Sequence, residues 1–482
     1  MRRRDFLKLT TLAATAAGGP GAQAQTAPNA PAAAGAPAAT PADLTLTIDR
    51  VTVALAPSRI ISTTGYNGRS PGPVLRMKEG VPVTVEVINN TDLPEVVHWH
   101  GLQIPGEVDG VVEEGTPLVP AQGRRSYTFT PTPAGTRWYH SHMPAMTDLY
   151  RGTYSGQFGF LIVEGPGYVG QPGQFDQEVF LALRDWEPFF TTQAVDTDDL
   201  DPSLPQPERP AVLDTRPSGW ELGAEIYSIN DRALGAGEPI RVRRGERVML
   251  HVLNASAIEN RHLSLPGHRF QILALDGNAV PKPAAVEVLL VGPGERIDCI
   301  VEMNNPGVWI LGEPVDAVRN AGLGVIVEYA GQNQQAQWQP PRQVGWDYTL
   351  FGNPTPPPLP PNTMDMVFEM IPRGEGMINT FTVNGVRYPH GDQFLMQAGE
   401  RYRLTFRNRT SDAHPLHLHR HTFELAEIYG KPTSGVMKDT VVVPLYGRAA
   451  VDFTAAPGLS LFHCHIQAHM DYGFMALLRA GR

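Results

Sequence analysis

EGVPVTVEVINN, residues 79–90, decides the fold once its two echoes are set beside it: RGERVMLHVLNA (244–255) and AGERYRLTFRNR (398–409). Each carries a glycine with an asparagine nine residues later, at Gly80/Asn89, Gly245/Asn254 and Gly399/Asn408. Between them apolar residues alternate, the period of a strand with one buried face. A second block follows each copy, as GTRWYHSHMP (135–144), GVWILGEP (307–314) and GLSLFHCHIQ (458–467). Three copies of a strand-rich unit of roughly 150 residues predict an all-β chain of three Greek-key β-sandwich domains. They are expected at 42–168, 175–330 and 345–482.

The rest of the composition agrees. The 482 residues include 48 Gly and 45 Pro, which suits many short strands joined by turns. Between the sandwiches, 332–345 (QNQQAQWQPPRQVG) reads as a linker and PTPPPLPP (354–361) as stiff extended chain. Residues 186–222, with DTDDLDPSLPQPERP inside, read as a long acidic loop of the middle domain. The net charge of −10 argues against a nucleic-acid partner.

At the N-terminus, Arg3-Arg4-Asp5-Phe6-Leu7-Lys8 resembles a twin-arginine export motif, and a weakly apolar run and Ala22-Gln23-Ala24 follow. Residues 1–24 are therefore expected to be a signal peptide handled by the twin-arginine machinery, and 25–41 a low-complexity leader. Loss of the signal removes four cations and one anion, taking the charge from −10 to −13. No other apolar run is long enough to span a bilayer, so the expected destination is the periplasm. Two cysteines cannot build a disulfide framework there, and a lone thiol in an oxidising compartment has metal ligation as one rationale.

Counting from the repeat asparagines locates ligands. Nine residues on stand His98-Trp99-His100 and His417-Leu418-His419, but Leu263-Ser264-Leu265 in the middle copy. Five residues after the second-block glycine stand His140-Ser141-His142 and His463-Cys464-His465, but Gly312-Glu313-Pro314 in the middle copy. On a strand, residues two apart share a face, about 6.6 Å apart, so each His-x-His aims both imidazoles one way. Eight imidazoles from two homologous units exceed the four ligands of a structural zinc site and imply a cluster of metals between domains 1 and 3. Cys464 must face the other way, into its own domain. With His414 and His469 it makes the His₂Cys set of a blue-copper site. The domain 1 counterparts of these three are Glu95, Ser141 and Met146, so only domain 3 holds that copper.

HWHG (98–101), WYHSH (138–142), HPLHLH (414–419) and HCHIQAHMDYG (463–473) together closely resemble the multicopper oxidases, specifically three-domain bacterial laccase-like members. The resemblance implies cupredoxin-like domains and four copper ions: type 1 on His414, Cys464 and His469; type 2 on His98 and His417; and a type 3 pair on His100, His140 and His465 and on His142, His419 and His463. It also implies the reaction, four one-electron oxidations of a reducing substrate at type 1 copper coupled to reduction of O₂ to water at the other three. His463, Cys464 and His465 then link the two centres through one stretch of backbone. In HWHGLQIPGEVDG (98–110) the resemblance gives Asp109 a proton-delivery role, while a turn residue before Gly110 fits the same stretch.

Departures from the family pattern are also legible. The axial position falls on Phe474, which cannot coordinate, so a three-coordinate type 1 site of raised potential is expected. Met470 stands where many bacterial members carry an acid near the cluster. His421, His251, His262, His268 and His390 read as packing or outer residues, those of domain 2 without partners, and Cys299 as a buried strand residue. Met364, Met366 and Met370 alternate at strand period and read as core rather than as a Cu(I) docking patch. Asp439 fits either a contact to substrate or metal near type 1 copper or a strand-end cap. Phenols or aromatic amines are the expected reducing substrates; a cuprous oxidase and a copper-free scaffold are the alternatives. A two-domain nitrite reductase is disfavoured because its blue-copper cysteine would fall at Ser141.

Overall fold

The three repeat segments become three equivalent strands, Val83–Asn89, Arg247–Asn254 and Arg401–Asn408. Each is central in its sheet, with one parallel neighbour (Leu44–Ala56, Gln177–Thr191, Asn362–Ile371) and one antiparallel neighbour (Gly123–Phe129, Arg296–Glu302, Arg448–Thr454). The repeat glycines turn into these strands at φ of 73°, 83° and 85°, a conformation that side chains other than glycine's strain to adopt. The repeat asparagines close them. The amide of Asn89 donates to Leu93 O, that of Asn254 to Val291 O and that of Asn408 to Asp412 O. Their Oδ1 atoms accept from the backbone N–H two residues on, at Thr91, Ser256 and Thr410. A buried side-chain amide thus ties off each loop that leads to the next strand of the opposite sheet.

A computed structural model describes residues 42–191, 219–342, 345–374 and 376–481. Six sheets pair into three cupredoxin-like sandwiches, drawing their strands from 44–164, 177–329 and 362–481. The signal-peptide and leader readings (1–24 and 25–41) lie outside the described residues. The reading of 186–222 as a loop is corrected at both ends. Gln177–Thr191 and Glu221–Ile229 are long antiparallel strands, paired from Glu221 opposite Thr191 to Ile229 opposite Leu183. The Asp, Pro and Gly density between them masked the WELGAEIYSI alternation that marks the second strand. No helix among the described residues is long and apolar enough to cross a membrane.

Met366 is fully buried in the core of the third sandwich, and Met364 and Met370 pack against that core. Cys299 is also fully buried, and burial pushes its thiol well above the usual range. His268 bonds to Tyr329 Oη at 2.5 Å, and His390 is exposed.

His251 corrects the expectation that domain 2 offers its histidines no partners. It lies buried where the first two sandwiches meet, with Asp298 at 2.7 Å, Glu178 at 3.2 Å and Thr136 Oγ1 at 3.2 Å. Burial alone would depress its pKa, but the charge and hydrogen bond of Asp298, then Glu178, raise it to about 9. A histidine held charged in the fold adds stability that is complete below the unfolded value of about 6.5 and is lost as pH rises through about 9. A raise of this size is worth ~3 kcal/mol. The melting temperature should therefore fall between pH 7 and pH 10, and His251→Gln should flatten that slope. An equal slope in wild type and variant would show that His251 is not responsible.

Candidate metal centre

Two antiparallel ladders carry the histidines. In the first sandwich Val97–His100 pairs with Gly135–Ser141 and sets His98 opposite His140. In the third, His414–Leu418 pairs with Gly458–Cys464, setting His417 opposite His463 and Leu416 opposite Cys464. The corresponding middle strand Arg261–Ser264 buries Leu263 in the apolar core instead.

The ladders meet face to face. His100 stacks on His417 with ring centroids 3.7 Å apart, and His98 lies 4.1 Å from His419. All eight imidazoles are buried, none more than 7% exposed. Potential ligand atoms fall within 4.8 Å of one another in the sets His98/His100/His417, His100/His140/His465, His142/His419/His463 and His414/Cys464/His469. The three donors last named lie on the far side of the Cys464 strand. Cys464 Sγ is 3.7 Å from His414 Nδ1 and 3.6 Å from His469 Nδ1.

The rings are oriented as metal ligands require. His98, His140, His417 and His463 each hold Nδ1 against a backbone carbonyl, of Asp109, Ser141, Asp439 and Cys464, at 2.8–2.9 Å. A neutral imidazole has one N–H and one lone pair, so the other nitrogen is left as a donor to metal. The Nε2 atoms of His98, His140 and His417 are buried with no hydrogen-bond partner, as are both nitrogens of His465. Burial, reinforced in most of them by the neighbouring imidazoles, holds His100, His140, His142, His417, His419, His463 and His465 well below their usual pKa, in the neutral form that ligates. This donor set, imidazole throughout with one thiol set apart, fits copper ions.

The domain 1 copy of the Cys464 site is closed by protein. Ser141 Oγ donates to Glu95 Oε2 at 3.0 Å, joining two of the counterparts the repeat assigns.

Asp109 ends the short helix Gly106–Asp109 and is fully buried. Its Oδ2 accepts from His419 Nδ1 at 3.0 Å and lies 3.2 Å from His98 Nδ1, while Oδ1 has no partner. Gly110, at φ 98°, packs so closely that a Cβ would strike the Val97 carbonyl, which locks this turn against the histidine strand. Glu114, buried nearby, was not singled out from sequence. Burial and the charge of Asp109 push its carboxyl well above the usual range. It forms the floor of a cleft of about 670 Å³ that Gln103, Glu107 and Arg420 also line.

Phe474 is fully buried against His414, with ring centroids 4.9 Å apart, and stacks on Phe381. Met475, its neighbour, lines a separate surface pocket. Met470 is buried. Asp439 does not lie beside Cys464; it is buried on the cluster side, 3.0 Å from His100 Nε2. His421 donates from Nδ1 to His419 O and accepts the Ala456 N–H at Nε2, an outer role. Glu221 is a second residue sequence reasoning missed. It lies 3.8 Å from His469 Nε2 and is part-exposed, at the edge of the sulfur-bearing site.

Family profiles described as multicopper oxidase match residues 47–167, 206–321 and 356–481. The chain is 28% identical over 441 residues to multicopper oxidase MmcO of Mycobacterium tuberculosis, covering 87% of this chain and 83% of that protein. It is 22% identical over 530 residues to a copper resistance protein A homolog of Pseudomonas syringae pv. tomato, covering 86% and 88%. A solved multi-copper oxidase from Pseudomonas thermotolerans superposes with a TM-score of 0.67 at 25% identity, covering 92% of this chain and all of that one.

Proposed function

This chain belongs to the multicopper oxidase family, and from that premise we propose that it is a periplasmic, laccase-like enzyme whose reducing substrates are phenols or aromatic amines. Four bound copper ions supply the redox chemistry, one-electron oxidation of substrate coupled to four-electron reduction of O₂ to water. The residues divide that work. His414, Cys464 and His469 hold type 1 copper; His98 and His417 hold type 2; His100, His140 and His465, and His142, His419 and His463, hold the type 3 pair. The observation that carries this reading is the set of buried ring nitrogens without protein partners, those of His98, His140 and His417 each turned outward by an oxygen on the opposite nitrogen.

His463 and His465 flank Cys464 on one stretch of backbone, so the thiolate site and the cluster share a covalent path of two residues. Asp109, whose Oδ2 accepts from His419 Nδ1 and whose buried Oδ1 has no partner, is the group that relays protons toward O₂ as it is reduced. Glu221, part-exposed and 3.8 Å from His469 Nε2, is the carboxylate this reading assigns to take the proton of a phenol oxidised at that edge. Export through the twin-arginine route rests on Arg3-Arg4-Asp5-Phe6-Leu7-Lys8.

The alternative is a cuprous oxidase serving copper tolerance, favoured by the likeness to copper resistance protein A. Against it stands the burial of Met366 in the core, with Met364 and Met370 partly buried against it rather than forming an open methionine patch. Steady-state oxidation of a phenol panel beside Cu(I), with O₂ uptake recorded, separates the two. Turnover of Cu(I) far above every phenol would overturn the laccase-like reading.

Phe474 sets the potential by withholding a ligand. Phe474→Met offers an axial thioether and should lower the midpoint potential of the blue centre while leaving its copper bound. Each ~59 mV lost costs about tenfold in the one-electron equilibrium with substrate. An unchanged midpoint in a redox titration of the blue band would show that position 474 is not axial.

A further inference from the structure

We propose that Arg296, supplied by the middle sandwich, which carries none of the paired histidines, is a positioning residue for the cluster: acting through the Asp439 carboxylate, it fixes which ring nitrogen of His100 binds metal. The inference rests on the copper assignment above.

His100 is turned the opposite way from its neighbours. His98, His140, His417, His419 and His463 all place Nδ1 against an oxygen. His100 instead places Nε2 against Asp439 Oδ1 at 3.0 Å and Thr440 Oγ1 at 3.1 Å, and its Nδ1 is buried with no partner. A carboxylate only accepts, so the proton of His100 sits on Nε2 and the lone pair on Nδ1. His100 therefore ligates through the nitrogen its neighbours use for support, and its ring must be held against Asp439 for that to happen.

Asp439 is itself held in place. Arg296 grips it as a two-pronged fork, Nη1 to Oδ1 at 2.7 Å and Nη2 to Oδ2 at 2.6 Å, with both residues fully buried. Arg137 Nη1 adds a charge 3.6 Å from Oδ2. The fork is itself anchored in the middle sandwich: Arg296 N donates to Asp276 Oδ1 at 3.0 Å, and its Nη1 donates to Gly294 O at 2.9 Å. Asp276 Oδ2 reaches across to accept the N–H groups of Asp439 at 3.2 Å and Thr440 at 3.1 Å. Asp439 O in turn accepts from His417 Nδ1 at 2.8 Å. One buried assembly thus sets His100 and His417, whose rings stack on each other from two different sandwiches. Retention of a middle domain without paired histidines acquires a physical reason, since it carries the scaffold against which these two imidazoles are oriented.

The test uses the full-length, copper-loaded enzyme with Arg296→Met, Arg296→Lys and Asp439→Asn, each titrated with a copper chelator. Blue absorption reads the Cys464 site, and electron paramagnetic resonance reads the coupled pair, which is silent when intact. Arg296→Met and Asp439→Asn should weaken copper retention at the cluster about 10–100-fold and make pair copper visible, while the blue band persists. Arg296→Lys keeps the charge without the fork and should fall between. Cluster affinity and spectra equal to wild type in both Arg296→Met and Asp439→Asn would overturn the proposal. So would loss of the blue band in step with cluster copper, the mark of general structural damage. A wild-type protein without a coupled pair would sink the copper assignment, and this proposal with it.

Discussion

Replacing Cys464 with serine is expected to remove the blue colour, take copper from four to about three ions per chain, and bring oxidation of every reducing substrate to background. The reasoning starts from position. Cys464 is fully buried, and its sulfur is a soft donor beside His414 Nδ1 and His469 Nδ1. A thiolate binds Cu and gives it the intense charge-transfer band; a serine hydroxyl stays protonated and does neither. Losing an outer hydrogen-bond partner typically costs ten- to a hundredfold in affinity or activity, so losing a ligand should cost more than ~100-fold. Serine nearly matches cysteine in volume, so the surrounding core of Leu416, Phe381 and Phe474 should survive. The eight histidines keep their ladders, and cluster copper should stay. A Cys464→Ser protein that still oxidises phenols at wild-type rate would place electron entry elsewhere.

The second large effect separates electron entry from O₂ reduction. Asp109→Asn should leave the blue band and its anaerobic reduction by a phenol unchanged, yet slow O₂ uptake by roughly 10²–10⁴-fold, the usual contribution of a positioned proton-transfer group. Asp109 touches His419 and His98 but nothing near Cys464. Asparagine keeps the shape and the backbone carbonyl that orients His98, so ligand geometry is preserved while the titratable group is gone. The readout is the reoxidation of fully reduced enzyme on mixing with O₂. Reoxidation at the wild-type rate would reduce Asp109 to a turn residue ahead of Gly110.

Much of this was legible in the chain because the repeat couples geometry to spacing. Gly80, Gly245 and Gly399 mark a positive-φ turn, and Asn89, Asn254 and Asn408 mark a buried loop clamp. The histidines are thereby delivered at a fixed count from each. The His-x-His alternation is local, so it too survives translation into structure, and it puts Cys464 on the face opposite His463 and His465. What spacing cannot carry is a contact between distant segments of different sandwiches. Arg296 and Asp276 meet Asp439 across more than a hundred residues, and nothing in the sequence around any of them signals the meeting. Spacing therefore leaves Asp439 open between a contact near type 1 copper and a strand-end cap, and does not signal its bond to His100. Glu221 escaped notice because the Pro- and Asp-rich stretch before it made its strand read as loop.

The most direct test of the central claim is a count of copper in purified, fully metallated protein together with its visible spectrum. The claim predicts four ions per chain, an intense thiolate-to-copper band, and two ions paired and silent in electron paramagnetic resonance. About one ion per chain, or a colourless protein, would contradict it.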